Sequence, residues 1–271
     1  MSDIFDTSSH VYAHVDGVIG RIVLNRPGKK NAMSYDMWCR VAEAVEMLDT
    51  TPEVRVIVLC SSTEGSFSAG ADLVELEVIA KDASKREANR IAIREAQRAL
   101  ARAAKPTIAE ISGPCVGGGC GLAIHCDFRF AAEGSRFGVT PAKIGLIYPL
   151  NDTKELMDLV GVANAKSMLF TARLVGAAEA LEMGLIDRRL APEELKSEVV
   201  AFANHMAGLS QYSLYGIKQT MQRILDGQVD DDPASETLFL DAHEGVDAQE
   251  GVQAFLDKRK PVFSWTYKKD D

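Results

Sequence analysis

The 271-residue chain reads as an α/β protein with a helical C-terminal module, and three observations carry that reading. Short apolar strands alternate with helical stretches from residue 11 onward, which is the pattern of an α/β core. From about residue 192 the pattern is helical alone. No low-complexity linker intervenes, so the division is placed near 195–205, giving a core over 1–200 and a helical module over 201–271.

Residues 11–25 alternate around Asp16-Gly17, a hairpin signal, with Val18, Gly20, Ile22 and Leu24 on one side and Ile19, Arg21 and Val23 on the other. Ser34 is placed to cap a helix whose Trp38, Val41, Val45 and Leu48 fall at helical spacing, and Pro52 follows its end. An apolar strand is expected over 54–60. The small, polar stretch 61–70 reads as a loop, and a highly charged helical arm follows through about residue 104. After Pro106 a short strand, 107–111, enters the cluster Gly113-Pro114-Cys115-Val116-Gly117-Gly118-Gly119-Cys120-Gly121 and a helix to about Cys126. A strand near 127–132, an irregular stretch over 137–150 with Pro141 and Pro149, and a helix that Asn151 or Asp152 is suited to cap complete the core.

With 46% hydrophobic and 25% charged residues, the chain has the composition of a protein that buries a sizeable core. Its 30 basic residues against 39 acidic ones give a net charge of −9, which argues against non-specific nucleic-acid or anionic-membrane binding. A phosphorylated ligand then needs local basic residues. No run approaches the roughly 20 apolar residues of a membrane span. Residues Met1-Ser2-Asp3-Ile4-Phe5-Asp6 lack a signal-peptide layout, so a cytoplasmic location is expected. Five cysteines without C-x-x-C spacing read as reduced thiols, and metal binding is not expected of them.

A strand that runs into consecutive glycines and then a helix leaves backbone N–H groups unpaired at the positive end of the helix dipole. Such a turn suits an anion or an oxyanion; equally, glycine serves there only for its backbone freedom. A dinucleotide fingerprint fails, because Ile124 stands where a third glycine would follow Gly119 and Gly121. A phosphate loop fails at Lys30, which follows Gly28-Lys29, and His243-Glu244 lacks the second histidine of a metalloprotease helix.

The glycine cluster is one of several segments in a fixed order. Leu24-Asn25-Arg26-Pro27 with Asn31-Ala32-Met33 comes first, then Phe67-Ser68-Ala69-Gly70-Ala71-Asp72-Leu73 and Gly117-Gly118-Gly119-Cys120. Cys126-Asp127, Phe137-Gly138, Met183-Gly184-Leu185-Ile186-Asp187 and Phe255-Leu256-Asp257-Lys258-Arg259-Lys260-Pro261 follow. Together they resemble the enoyl-CoA hydratase/isomerase (crotonase) family over nearly the whole chain.

The resemblance implies a spiral of repeated ββα units and a homotrimer or dimer of trimers. It implies an acyl-CoA substrate, coenzyme A entering as part of it with no tightly bound cofactor, and neither nucleic acid nor membrane as partner. The N–H groups of Ala71 and Gly118 correspond to the family's oxyanion hole, two preorganised donors for a thioester enolate. Arg26, Ala69, Asp72 and Leu73 correspond to CoA-binding positions. Phe255 and Lys258 match C-terminal residues that contact CoA, often from a neighbouring subunit.

Hydratases of the family carry two catalytic glutamates, and the matching positions here are Gly121 and Pro141. Without the carboxylates that activate and protonate, ordinary hydration is expected to be feeble. Isomerase, lyase, decarboxylase or hydrolase chemistry through other groups is expected instead. Asp152 is the leading acid/base candidate, with capping as its alternative role, and Tyr148 is the second, with packing as its alternative. His125 lies one turn beyond Gly121 on the same helical face. Glu75 and Glu77 follow Asp72 on a segment that can act as a lid or lie as solvated surface. A reading from a different class is a non-catalytic acyl-CoA-binding regulatory or assembly subunit.

Overall fold

The computed structural model describes residues 2–3 and 6–268. Met1, Ile4 and Phe5 of the opening hexapeptide lie outside the described residues, as do Lys269, Asp270 and Asp271 of the expected helical module.

A short strand β1 (Ser2–Asp3) pairs with β2 (Val11–Asp16), which turns at Gly17 into β3 (Ile19–Leu24), the expected hairpin. Helix α1 (Tyr35–Thr50) starts at Ser34, whose hydroxyl accepts from Met37 N–H, and leads to β4 (Val56–Ser61). The charged arm is two helices rather than one, α2 (Leu73–Ala80) and α3 (Ala83–Arg102), because Asp82 caps a new start by accepting from Ser84 and Lys85 N–H. Then come β5 (Thr107–Ile111), β6 (Pro114–Val116), α4 (Gly118–Ile124), β7 (Phe128–Ala132) and β8 (Arg136–Gly138). Helix α5 (Leu150–Thr171) bends at Gly161 and is followed by β9 (Leu174–Gly176), α6 (Ala177–Glu182) and β10 (Arg188–Leu190). There follow α7 (Pro192–Ala207), α8 (Gln211–Leu225), α9 (Pro233–Glu244), α10 (Val246–Leu256) and, over 257–268, non-helical backbone.

Among the described residues the main sheet has the order β1-β2-β3-β4-β5-β7-β10, parallel from β3 onward, and β6-β8-β9 form a small second sheet. A parallel sheet must be covered on both faces. One face sends Ile22, Leu24, Ile57, Leu59 and Ile111 against α1 and α3; the other sends Ile19, Val23, Val56, Val58 and Phe130 against α7. The expected division at residue 200 therefore falls inside α7, a helix whose Leu195, Val199 and Ala203 pack on the sheet. No helix among the described residues is long and apolar enough to cross a membrane.

Candidate functional site

Two loops meet beyond the carboxyl ends of β4 and β5. Phe67 and Ser68 N–H both donate to Pro114 O, at 3.1 and 2.9 Å, and Val116 N–H donates back to Ser68 O at 3.0 Å. Buried Asn31 braces the first loop, its amide donating to Phe67 O at 3.0 Å and Ser61 Oγ at 2.7 Å. Gly70 has a φ of +97°, and a β-carbon there would lie 3.0 Å from Val116 O, so only glycine fits this close approach.

Met33 pairs with Ala71 in a parallel bridge whose bonds use the neighbours of Ala71: Met33 N–H to Gly70 O at 2.7 Å and Asp72 N–H to Met33 O at 2.9 Å. That bridge leaves the Ala71 N–H unused. Gly118 is the first residue of α4, where an N–H has no intrahelical acceptor. Both residues line one cavity of about 900 Å³. Trp38 backs it so closely that a β-carbon on Gly118 would lie 2.7 Å from the indole.

One turn along α4, Gly121 opens onto a polar cluster. A β-carbon there would stand 2.7 Å from Gln97 Nε2, 3.4 Å from the Tyr148 hydroxyl and 3.7 Å from Asp152 Oδ2. Asp152 does not cap α5. The helix begins at Leu150 behind Pro149 with no side-chain cap, which places Asp152 in its first turn, turned inward and 2% exposed. His125 Nδ1 lies 2.7 Å from Gly121 O; a carbonyl only accepts, so Nδ1 carries the hydrogen. The Asp152 carboxyl is 3.7 Å from that nitrogen, beyond hydrogen-bond range.

Burial pushes the Asp152 carboxyl above the usual carboxylate range; His125 opposes the shift and Glu155 adds to it. The Gln97 amide is near enough to favour the ionised form without meeting it in a geometric hydrogen bond. Burial lowers His125, leaving a neutral imidazole, and raises the Tyr148 phenol well above its ordinary value. The result is a buried carboxyl among neutral polar groups, with no strong cation to hold it ionised.

Asp72 anchors the cavity wall. It caps α2 through Val74 N–H and meets Arg26 and Lys29, each at 2.8 Å, and Lys29 foremost holds its carboxyl down to about 2. Ala69 and Leu73 line the cavity, whereas Arg26 is spent on Asp72 and Ala32 O. Lys29, Arg86, Arg90 and Lys143 line it as well; Lys29 is paired with Asp72 and Arg90 with Glu87, which leaves Arg86 and Lys143 as the lining cations outside an ion pair among the described residues. Glu75 lines the cavity and accepts from Tyr35 N–H, whereas Glu77 pairs with Lys81 on the surface of α2. Phe255 and Lys258, at the end of α10, do not line the cavity of their own chain. Gln97 is the member that sequence reasoning missed. Its only signal is an uncharged polar side chain one position after buried Ala96 and three before buried Leu100.

The fold and the cavity define an α/β protein in which a loop residue, Ala71, the first residue of a helix, Gly118, and a buried carboxyl share one pocket. The chain belongs to the enoyl-CoA hydratase/isomerase, or crotonase, family, whose members act on acyl-CoA: the family profile matches residues 15–266. It is 32% identical over 243 residues to a crotonyl-CoA hydratase of Syntrophomonas wolfei, covering 89% of this chain and 93% of that one. It is 30% identical to a short-chain-enoyl-CoA hydratase of Clostridium acetobutylicum, covering 93% and 96%. The crystal structure of an enoyl-CoA hydratase/isomerase family protein from Hyphomonas neptunium superposes with a TM-score of 0.92 at 38% identity, covering 94% and 98%.

Proposed function

We propose that the chain transforms the acyl part of a CoA thioester through an enolate held by Ala71 N–H and Gly118 N–H. Asp152 moves the proton and Tyr148 stands beside it. The observation that carries this reading is a buried carboxyl at the Gly121 turn, one helical turn from Gly118, where the family's hydratases place a glutamate. Asp152 takes the proton from the α-carbon, and the electron pair of the broken C–H bond passes into the enolate with its charge on the thioester oxygen. Two preorganised donors are worth a few kcal/mol at that oxygen. A carboxyl raised by burial is a better-matched base than an ordinary one. Return of the proton to another carbon gives isomerisation; departure of a β-substituent gives elimination.

Arg86 and Lys143 are suited to the CoA phosphates. In a homotrimer or dimer of trimers, Phe255 and Lys258 meet the CoA bound to a neighbouring subunit.

The test is α-hydrogen exchange of a saturated acyl-CoA in deuterated water, read by mass spectrometry. Asp152→Asn lowers exchange by about 100-fold or more while thioester affinity stays within about 2-fold. Crotonyl-CoA hydration on the order of 10 to 1,000 per second would instead show that Gly121 and Pro141 do not disable hydration. Binding of many thioesters with exchange from none would favour the non-catalytic acyl-CoA-binding subunit, a reading that Gly121 and Pro141 also support.

A further inference from the structure

Trp38 connects the elements that carry the two proposed donors. It lies one turn into α1, and Met33, just before the Ser34 cap of that helix, is bridged to Ala71. At the other end its indole meets α4, where a β-carbon on Gly118 would lie 2.7 Å from Cζ2 and 3.0 Å from Cη2. Cζ2 is bonded to the ring carbon that carries the indole N–H, so this N–H belongs to the side of the ring nearest Gly118.

Packing alone does not account for a tryptophan here. Leucine or phenylalanine fills apolar space without bringing an N–H, and a buried indole N–H as a rule finds an acceptor. Trp38 is 2% exposed, and its indole N–H forms no hydrogen bond among the described residues. Nor is it among the unpartnered polar atoms that are wholly sealed in. The sliver of surface that it keeps therefore opens into the cavity that Trp38 lines together with Ala71 and Gly118.

We propose that Trp38 is a further catalytic residue, whose indole N–H is a third donor to the thioester oxygen held by Ala71 N–H and Gly118 N–H. The inference rests on the acyl-CoA function proposed above and adds a group to its oxyanion site. As the α-proton leaves and its electron pair enters the enolate, negative charge collects on that oxygen, and a fixed N–H dipole stabilises it more as the charge grows. Trp38 itself neither gains nor loses a proton. An indole offers a donor and no acceptor, and a ring wedged between α1 and α4 has little reorganisation to undergo during the step.

Trp38→Phe keeps an aromatic ring and removes the N–H. Acetoacetyl-CoA supplies the readout, because it ionises to an enolate without a base from the protein and the enolate absorbs in the ultraviolet. On the unaltered protein the bound ligand ionises at a lower pH than the free one. On Trp38→Phe its pKa rises by about 1 unit, and α-hydrogen exchange of butyryl-CoA falls by about 10-fold or more. Calorimetric affinity for butyryl-CoA stays within about 2-fold, which separates lost enolate stabilisation from lost binding and reports that the variant folds. A second measurement leaves the shape of the ring almost untouched. The chain has two tryptophans, so ring-fluorinated tryptophan in a Trp265→Phe background marks Trp38 alone; its more acidic N–H lowers the bound pKa instead of raising it.

A bound pKa that the folded Trp38→Phe protein or the fluorinated one leaves unchanged overturns the proposal. An equal loss of affinity for butyryl-CoA and for the acetoacetyl-CoA enolate overturns it too, because Trp38 then binds without favouring the enolate. Should Trp38→Phe fail to fold, the fluorinated protein decides. If no thioester binds to the unaltered protein, the acyl-CoA function falls as well; if the bound pKa is lowered and neither change at Trp38 moves it, only the third donor falls.

Discussion

Asp152 and Asp72 lie in one cavity and answer pH in opposite directions. Burial raises Asp152, so a step that needs its carboxylate gains rate with pH at a point above the ordinary carboxylate value of about 4. The acidic limb of the exchange profile displays that displacement. Stability runs the other way: a carboxyl whose folded pKa exceeds its unfolded one contributes fully only while protonated, and that contribution is lost as pH rises through the folded value. Asp152→Asn is therefore expected to raise Tm at pH 7 while it removes exchange, a trade common where function keeps a charge buried. Asp72, held down to about 2 against a reference of 3.8, contributes stability above the reference value that is lost as pH falls toward 2. Asp72→Ala removes the α2 cap and strands Arg26, costing about 1–2 kcal/mol at pH 7 by denaturant unfolding. The difference between the two proteins narrows as pH falls from the reference value of 3.8 toward about 2, the folded pKa of Asp72.

Among the elements, α4 and α3 meet where Gly121 faces Gln97, and two known costs compete there. Alanine in a helix gains about 1 kcal/mol over glycine, whereas a β-carbon 2.7 Å from a buried amide costs about as much in displaced packing. Gly121→Ala is thus expected to be near neutral alone and stabilising by about 1 kcal/mol in a Gln97→Ala background, a coupling that a double-mutant cycle measures. Additive effects would mean that the two positions do not touch. Local sequence was a good guide wherever a local force decides the outcome: the Asp16-Gly17 turn, the Ser34 cap, and the strand entering the glycines all form. It failed where the deciding force is not local. Charge at helical density runs unbroken past Lys81, hiding the new start at Asp82; the three-residue strands β8, β9 and β10 are too short to show a period. Asp152 carries the chemistry of a cap, yet Pro149 sets the helix start and turns Asp152 into the cavity. Gln97 was invisible because its meaning depends on Tyr148 and Asp152, about fifty residues away.

For the molecule as a whole, the last helices are less covered than the rest. On α8, Ile217, Met221 and Ile224 recur at helical spacing and are each more than half exposed, and Phe255 at the end of α10 is 84% exposed. Contiguous exposed apolar surface of this kind marks a binding face, and the proposed trimer supplies the occupant. On that proposal, light scattering gives three times, or six times, the 29.4 kDa mass of one chain. A carboxylate set into the stripe by Met221→Asp costs little while the helix faces water, but it is stranded when a neighbour covers it. The variant is therefore expected to fold with nearly unchanged circular dichroism, to run as a single chain, and to bind acyl-CoA more weakly, because Phe255 and Lys258 then reach no neighbour. A monomeric unaltered protein would remove the trimer, and a monomeric variant with full affinity would remove Phe255 and Lys258 from the CoA site. Neither result touches Ala71, Gly118 and Asp152, which a single chain already brings into one cavity.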